Sequence, residues 1–102
     1  MRKETDFSGT IRYYNDLNQL HREDGPAIEY ANGTKFWFRN GDKEWYLNGQ
    51  LHREDGPACE YADGDKEWYL NGQLHREDGP ACEYADGSKE YWLLGSLVSF
   101  TW

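Results

Sequence analysis

A 23-residue repeat constrains the fold of this 102-residue chain more than any other feature. The segments 48–70 and 71–93 differ at only three of their 23 positions, one of which is Asp65 against Ser88. The other two differences are a swap of neighbouring Trp and Tyr residues, which keeps the aromatic content unchanged. A partial earlier copy, LHREDGPAIEYANG, occupies 20–33. Periods of roughly 20 to 50 residues are typical of stacked repeats, so each copy is expected to form one unit beside the next.

Turn-forming residues divide the copies into short stretches with strand propensity. Asn-Gly occurs at 32–33, 40–41 and 48–49, around the aromatic segments TKFWFR and DKEWYL. Asn and Gly tolerate the positive φ that both central residues of a type I′ hairpin turn need. Asp-Gly corners at 62–64 and 85–87 close the other end of each copy. The pattern predicts antiparallel hairpins, and an eight-residue insertion at 33–40 predicts one more segment of the same kind.

Alternation along the strands predicts which side chains share a face of the sheet. Lys66, Trp68 and Leu70 are expected on one face, and Glu67 and Tyr69 on the other. Equivalent residues of successive copies should then form rows that pack as an aromatic core. The expected rows are Trp37, Trp45 and Trp68 with Tyr91 or Trp92, and Tyr30, Tyr61 and Tyr84. The predicted fold class is all-β, a single-layer antiparallel sheet of stacked 23-residue β-hairpin repeats.

The ends of the chain depart from the repeat and are expected to cap it. Residues 1–19 contain a candidate opening strand at 10–14, and 95–102 form a candidate closing strand. The hairpin copies occupy 20–94 and begin near residues 17, 48 and 71. One ring-bearing face of the closing strand should cover the last copy. The closing strand lacks charge, so its free edge needs either a cover or a role in forming oligomers.

Composition excludes several classes of function. The net charge of −8 opposes direct binding to nucleic acid or to anionic membranes, because Lys and Arg must neutralise the phosphate groups. No segment has the ~20 apolar residues of a membrane helix, and the first residues lack the apolar run of a secretory signal. The cytoplasm is therefore the expected compartment. Phosphate-loop and nucleophile-elbow motifs are absent, so the sequence does not predict an enzyme.

Each copy contains one histidine and at most one cysteine, so a shared metal site or a disulfide would need residues from neighbouring copies. Equivalent residues in neighbouring copies should lie two strand spacings apart, about 9 to 10 Å. Ligands of one metal ion lie within about 2 Å of it, so His21, His52 and His75 are expected to tie the corners by hydrogen bonds. Cys59 and Cys82 exceed the ~7 Å Cα limit of a disulfide and are predicted to be free thiols. No metal or cofactor is predicted.

The pattern W-Y-x-N-G-x-L-H, followed by Gly, an E-Y strand and a D-G corner, resembles the MORN repeat over residues 13–94. The resemblance implies hairpins stacked into a twisted sheet with an aromatic-lined groove, and a scaffolding or protein-binding role. This chain has His-Arg-Glu-Asp-Gly at 52–56 where the family pattern has His-Gly, so its corner is longer. The L-H-R-x-x-G-P-A units also resemble those of small proteins from bacteriophages and large DNA viruses, which implies an inhibitor of host defence.

We therefore expect a non-catalytic module that binds a protein partner, such as a host nucleic-acid-binding or defence enzyme. The residues expected to contact this partner are Arg22, Arg53, Arg76, His21, His52, His75, Trp45, Trp68 and Trp92. Each corner also carries acids, among them Glu23 and the acidic surface of Glu54, Asp55, Glu77 and Asp78, which would imitate a nucleic-acid backbone. Two alternatives remain open: a sponge for nucleotides or small ligands, and a structural scaffold that assembles end to end.

Overall fold

The computed structural model describes residues 2–22, 24–39 and 41–101, and this part of the chain is all-β. The predicted fold class is confirmed, because most strands form one antiparallel sheet of hairpin-like neighbours. The strands are β1 (Arg2–Thr5), β2 (Ile11–Tyr14), β3 (Ile28–Glu29), β4 (Thr34–Arg39), β5 (Asp42–Leu47), β6 (Gln50–Leu51), β7 (Cys59–Glu60), β8 (Lys66–Glu67), β9 (Tyr69–Leu70), β10 (Gln73–Leu74), β11 (Cys82–Glu83), β12 (Lys89–Leu93) and β13 (Ser96–Thr101).

The main sheet follows the order of the chain. Its path is β1-β2-β3-β4-β5-β7-β8-β11-β12-β13, and β6 pairs with the far half of β5. A two-stranded ladder of β9 and β10 repeats that side pairing in the next copy. Because strands pair mainly with their chain neighbours, the molecule is elongated, with extents of 44 × 27 × 20 Å.

Each regular copy is a hairpin whose returning strand is interrupted by a loop. After β5 and the Asn48-Gly49 turn, the chain returns as β6, leaves the sheet, and rejoins it as β7. Both parts of the return pair with β5, since Tyr46 lies opposite Leu51 and Glu44 lies opposite Cys59. We call the intervening segments 21–26, 52–57 and 75–80 the corner loops. They are the His-Arg-Glu-Asp-Gly-Pro motifs of the sequence.

The turns at the tips of the regular hairpins have the predicted geometry. Asn48 and Asn71 have φ of 53° and 52°, and Gly49 and Gly72 have φ of 77° and 79°. Both central residues therefore have the positive φ of a type I′ turn. The Asn-Gly pair at 40–41 is described only in part, because Asn40 lies outside the described residues.

The Asn-Gly pair at 32–33 forms a different turn from the one predicted. Of the two, only Gly33 has a positive φ, at 92°, and the Tyr30 N–H donates to the Thr34 carbonyl at 2.8 Å. The Asp-Gly corner at 63–64 has the same arrangement, in which the Tyr61 N–H donates to the Asp65 carbonyl at 2.9 Å. The type I′ prediction at 32–33 is wrong, because this Asn-Gly pair belongs to the segment Tyr-Ala-Asn-Gly at 30–33. That segment occupies the same position of the repeat as Tyr-Ala-Asp-Gly at 61–64 and forms the same turn.

The inserted strand β4 turns the following copies over relative to the first. Directly opposed residues of neighbouring strands share a face of the sheet. Ile28 lies opposite Phe36, and Phe36 lies opposite Trp45. Glu44 precedes Trp45, therefore points to the other face, and lies opposite Cys59. Ile28 and Cys59 occupy the same position of the repeat, yet they lie on opposite faces of the sheet.

We call the face that carries Trp45 the loop face and the face that carries Cys59 the cysteine face. The predicted rows break at the insertion, because one extra strand changes the face of every later position. Tyr30 lies on the loop face with Ile28, whereas Tyr61 follows the register of Cys59 on the cysteine face. Trp37 also leaves its predicted row, because it lies opposite Glu44 on the cysteine face. Tyr84 keeps its predicted place in the row of Tyr61.

The core of the molecule lies where the first copy meets the inserted strand. Ala27, Ile28 and Phe36 are buried there, and the Phe36 and Trp45 ring centroids are 4.7 Å apart. Leu20, Tyr30 and Phe38 pack around this cluster. Phe36 is the aromatic residue of this cluster that is buried, and the rings of Tyr30, Phe38 and Trp45 are partly buried around it.

The two ends of the sheet differ from the predicted caps. The strand β2 confirms the opening strand, but β1 precedes it and was not predicted, because RKET has no apolar alternation. The strand β13 lies where the closing strand is predicted and pairs with β12. It extends the sheet, and Phe100 is 51% exposed. Trp102 lies outside the described residues.

Candidate binding surface on the corner loops

An arginine holds each described corner loop against the sheet. In the second copy, Arg53 Cζ lies 3.9 Å from the centroid of the Trp45 ring. Its Nε donates to Asp55 at 3.0 Å, and its Nη1 donates to the Pro57 carbonyl at 3.1 Å and to Glu60 at 3.3 Å. Because one guanidinium contacts a ring, a carbonyl and two carboxylates, it fixes the loop in one geometry.

The other copies repeat these contacts. Arg76 lies 4.0 Å from the Trp68 ring centroid, and Arg22 lies 4.1 Å from the Tyr13 ring centroid. Their hydrogen-bond acceptors are Asp78, the Pro80 carbonyl and Glu83 for Arg76, and Asp24, the Pro26 carbonyl and Glu29 for Arg22. The loop glycine is required by close approach, since a Cβ at Gly56 would lie 3.0 Å from Arg53 Cζ.

The histidines tie each corner loop to the next hairpin turn. The Asn71 N–H donates to His52 Nδ1 at 3.0 Å, and the Leu94 N–H donates to His75 Nδ1 at 3.0 Å. The prediction that these residues tie the corners by hydrogen bonds is confirmed for His52 and His75. A ring nitrogen that accepts carries no proton, so the neutral ring holds its proton on Nε2. For His21, the backbone N–H donates to the Tyr13 carbonyl at 2.9 Å.

The Nε2 atoms of these two histidines approach the acidic rim of the loops. His52 Nε2 lies 3.7 Å from Glu54, and His75 Nε2 lies 3.6 Å from Glu77. The carboxylates themselves are largely in solvent, with side chains 84% and 86% exposed. Asp55 and Asp78, which accept from the arginines, are also exposed. The predicted acidic surface therefore exists as two equivalent carboxylate pairs, one on each loop.

Trp92 does not continue the row of Trp45 and Trp68. Its indole Nε1 donates to Glu90 at 3.1 Å, which places the ring on the cysteine face. Tyr91 takes the equivalent position of the row on the loop face, because the last copy has Tyr-Trp where the preceding one has Trp-Tyr. The sequence left this choice between Tyr91 and Trp92 open, and the strand register decides it.

Two equivalent hollows open on the loop face, each about 580 Å³ in volume. Trp45 and Leu47 line the first, with the corner loop at 52–55. Trp68 and Leu70 line the second, with the corner loops at 53–56 and 75–78 on either side. The hollows are one copy apart, so the loop face presents the same rim of carboxylates and the same indole base twice.

The first corner loop does not belong to this surface. Arg22 donates to Glu29, and Glu29 follows Ile28 and therefore lies on the cysteine face. The expected ridge of three equivalent corners is thus divided, with Arg22 on one side of the sheet and Arg53 and Arg76 on the other. Glu23 of this loop lies outside the described residues.

The cysteine face carries buried thiols beneath a hydrogen-bonded row. Cys59 and Cys82 are free, as predicted, and are 0% and 1% exposed. Burial raises the pKa of the Cys59 thiol to about 12 and that of Cys82 to about 11. The Tyr61 hydroxyl donates to Glu67 at 3.0 Å, a contact that Tyr84 repeats with Glu90. Protonated, buried thiols are poor nucleophiles and poor metal ligands.

Sequence reasoning missed the residues that anchor the loops from the sheet. Glu29, Glu60 and Glu83 each accept from a corner-loop arginine, but the predicted site contained only loop residues and tryptophans. Their recurrence at the same position in all three copies was the available signal. A third hollow of about 610 Å³, floored by Phe36, Phe38 and Trp45, was not predicted because it depends on the inserted strand.

Among the described residues, no three His, Cys, Asp or Glu side chains come together as metal ligands would. The same part of the chain has no helix with the length and apolar character needed to cross a membrane. No family model, no curated protein and no solved structure matches the chain. The likeness to the MORN repeat is therefore a resemblance of sequence motifs.

Proposed function

We propose that this protein is a non-catalytic module that binds a protein partner through the loop face. The observation that carries the proposal is the rigid, repeated presentation of Glu54 with Asp55 and of Glu77 with Asp78. Each pair is exposed, and each loop is clamped by one guanidinium and one imidazole. A preorganised loop loses little conformational entropy when it binds, which favours affinity.

The partner that fits this surface carries a basic groove. Carboxylate pairs about 9 to 10 Å apart, on a chain of net charge −8, attract such a groove over long range and give fast association that salt weakens. Enzymes that bind nucleic acid have grooves of this kind. We propose that the acidic array occupies the groove in place of a phosphate backbone and so inhibits a host defence enzyme in the cytoplasm.

Within this proposal the other predicted residues have separate tasks. Arg53, Arg76, His52 and His75 hold the loops, because their donor or acceptor groups are already engaged within the molecule. Trp45 and Trp68 form the base of the two hollows and would contact a side chain that enters them. Of the remaining predicted contacts, Arg22 and Trp92 lie on the cysteine face. His21 lines the loop-face hollow that Phe36, Trp45 and Arg53 share.

The test compares two double variants with the same loss of charge. The partner is captured from an extract of the native host, purified, and titrated by calorimetry with each form of the chain. Glu54→Gln with Glu77→Gln removes two exposed carboxylates of the corner loops. Asp63→Asn with Asp86→Asn removes two carboxylates of the Asp-Gly turns, at the other end of each copy. The control should fold normally, because Asn32 already occupies the equivalent corner of the first copy.

We expect the glutamate variant to weaken binding about tenfold, or about 1.4 kcal/mol, and the aspartate variant to have little effect. Duplex DNA should compete with the wild-type chain for the partner. Equal losses in the two variants would show that net charge alone matters and would contradict a site on the corner loops. Binding heat from a nucleotide panel, with no captured protein, would instead support the ligand sponge.

A further inference from the structure

The outer edge of β13 is open within the described sheet. This strand pairs with β12 on one side, and all six of its residues are exposed. An edge strand presents unpaired N–H and C=O groups, which are able to pair with another strand. Leu97, Val98 and Phe100 add apolar side chains that are 47%, 61% and 51% exposed.

The strand β13 takes the place that the Ala-Cys-Glu strand of a further copy would occupy. Glu90 lies opposite Phe100, as Glu67 lies opposite Cys82 one copy earlier. Cys82 is only 1% exposed, because it lies between two neighbouring strands, whereas Phe100 has a neighbour on one side. The sheet therefore ends on a strand type that elsewhere in the described array is paired on both edges.

Charge distinguishes this edge from the opposite one. The chain has no charged residue after Glu90, although its net charge is −8. The other edge strand, β1, consists of Arg2, Lys3, Glu4 and Thr5. Charged edge residues are a common protection against pairing with other chains, and β13 has none. Two copies of an acidic chain repel each other over most of their surface, so this uncharged edge is the place where they can meet.

We propose that two copies of the chain pair through the outer edge of β13, antiparallel and related by a two-fold axis. The register of β13 against β12 shifts between Tyr91 and Trp92, which lie opposite Ser99 and Leu97, so Val98 interrupts the alternation of the strand. Pairing along this edge removes part of the exposed surface of Val98 and Phe100 from water. This inference does not depend on the proposed function.

The first experiment measures mass in solution by light scattering over a concentration series. The wild-type chain is expected to approach twice its 12.0 kDa. Val98→Lys should raise the dissociation constant at least tenfold, because it places a charge on the uncharged edge strand. Leu17→Lys is the matched control, since Leu17 is 77% exposed and lies in a turn away from β13. A wild-type monomer at several hundred micromolar, or equal effects of the two variants, would overturn the proposal.

The second experiment tests the antiparallel pairing by disulfide formation. Opposed residues of an antiparallel pair have Cα atoms about 4.5 to 5.5 Å apart, within the range of a disulfide. Of single cysteines placed in turn along β13, the one at the two-fold axis should cross-link two chains under mild oxidation, and those further along the strand should not. The native thiols do not compete, since both are buried. Cross-linking at none of these positions, or species larger than a dimer, would contradict this two-fold pairing.

Discussion

At the residue scale, the corner loops are stabilised by side chains that satisfy backbone groups which the interrupted strand leaves free. Arg53 donates to the Pro57 carbonyl, and His52 accepts from the Asn71 N–H. An intramolecular hydrogen bond contributes about 0.5 to 1.5 kcal/mol, so each of these side chains carries a measurable share of stability. Their recurrence in the sequence follows from this structural task, which every copy must meet.

His75 provides the clearest test of that task, because it is 9% exposed and accepts from the Leu94 N–H. His75→Leu should lower the free energy of unfolding by about 0.5 to 1.5 kcal/mol, since it removes the acceptor and keeps an apolar side chain. His75→Asn should recover part of the loss, because Asn Oδ1 lies near the position of His Nδ1. Urea denaturation measures both variants. Equal losses would show that the ring matters for packing and not as an acceptor.

Leu94 has a strained backbone conformation at a position where the other copies have Asn. It has a φ of 48°, in the turn position that Asn48 and Asn71 occupy with nearly the same φ. A left-handed conformation costs an ordinary L-residue about 1 to 2 kcal/mol, and Asn tolerates it better. Leu94→Asn should therefore raise the midpoint of urea unfolding, and the reverse change Asn71→Leu should lower it. A loss of stability in Leu94→Asn would mean that the exposed leucine makes contacts the strain argument ignores.

The buried thiols make stability depend on alkaline pH. Burial raises the pKa of Cys59 and Cys82 from the ordinary 9.0 to about 12 and about 11. Their contribution to stability is complete below pH 9 and is lost as the pH rises toward those values, because the unfolded chain releases its protons first. Each thiol contributes a slope of up to about 1.4 kcal/mol per pH unit.

The measurement is urea unfolding between pH 8 and pH 10.5. The double variant Cys59→Ala with Cys82→Ala should show a shallower loss of stability than the wild-type chain. Burial also raises the pKa of Tyr61, Tyr69 and Tyr84, so a slope from tyrosine ionisation should remain in both proteins. Parallel pH profiles would contradict the assignment of the slope to the thiols.

At the element scale, the inserted strand decides which residues act together. Without β4, the chain would place every corner loop on one face of the sheet. With β4, Ile28 and Cys59 lie on opposite faces, and the first corner loop is separated from the other two. The extra strand also builds the core, because Phe36 packs between Ile28 and Trp45. The inserted strand β4 therefore both divides the loop surface and completes the core.

Deletion of residues 33–40 tests this account. It joins Asn32 to Gly41 and gives EYANGDKEWYL, which differs from the regular segment 60–70 only by Asn for Asp. The shortened chain should fold as a regular array with Ile28 opposite Glu44, as Cys59 lies opposite Glu67. Its three corner loops should then share one face.

Disulfide formation reports the change, in chains that carry Ile28→Cys and Glu44→Cys with the native thiols replaced by Ala. The shortened chain should form the bond, because opposed residues lie within reach. The full chain should not, because β4 separates the two positions by about 9 to 10 Å. A bond in the full chain, or none in a shortened chain that remains folded by circular dichroism, would contradict the inversion.

The elements themselves could be predicted from the sequence, because their signals are local. Asn48-Gly49 and Asn71-Gly72 have the conformations that tight hairpin turns require, and the free thiols follow from the period alone. The faces could not be read from one strand, since they depend on how many strands lie between two copies. Trp92 is a different case: it occupies the repeat position of Tyr69, so the swap of Trp and Tyr in the last copy places it on the other face.

At the scale of the whole molecule, the chain is an open array with two unlike edges. Each copy contacts its neighbours, and the extents of 44 × 27 × 20 Å leave both faces of the sheet accessible to solvent or to partners. The acidic loops lie on one face, and the uncharged strand β13 lies at one end. Protein binding through the loops and pairing through the edge therefore use separate surfaces, so one variant can disrupt either without the other.

The face inversion on which the loop surface depends is tested most directly by nuclear Overhauser spectroscopy of the isotope-labelled chain. We expect contacts between Ile28 and Phe36, between the rings of Phe36 and Trp45, and between Glu44 and Cys59. Contacts between Ile28 and Glu44, with residues 33–40 outside the sheet, would contradict the account, because all corner loops would then lie on the same face.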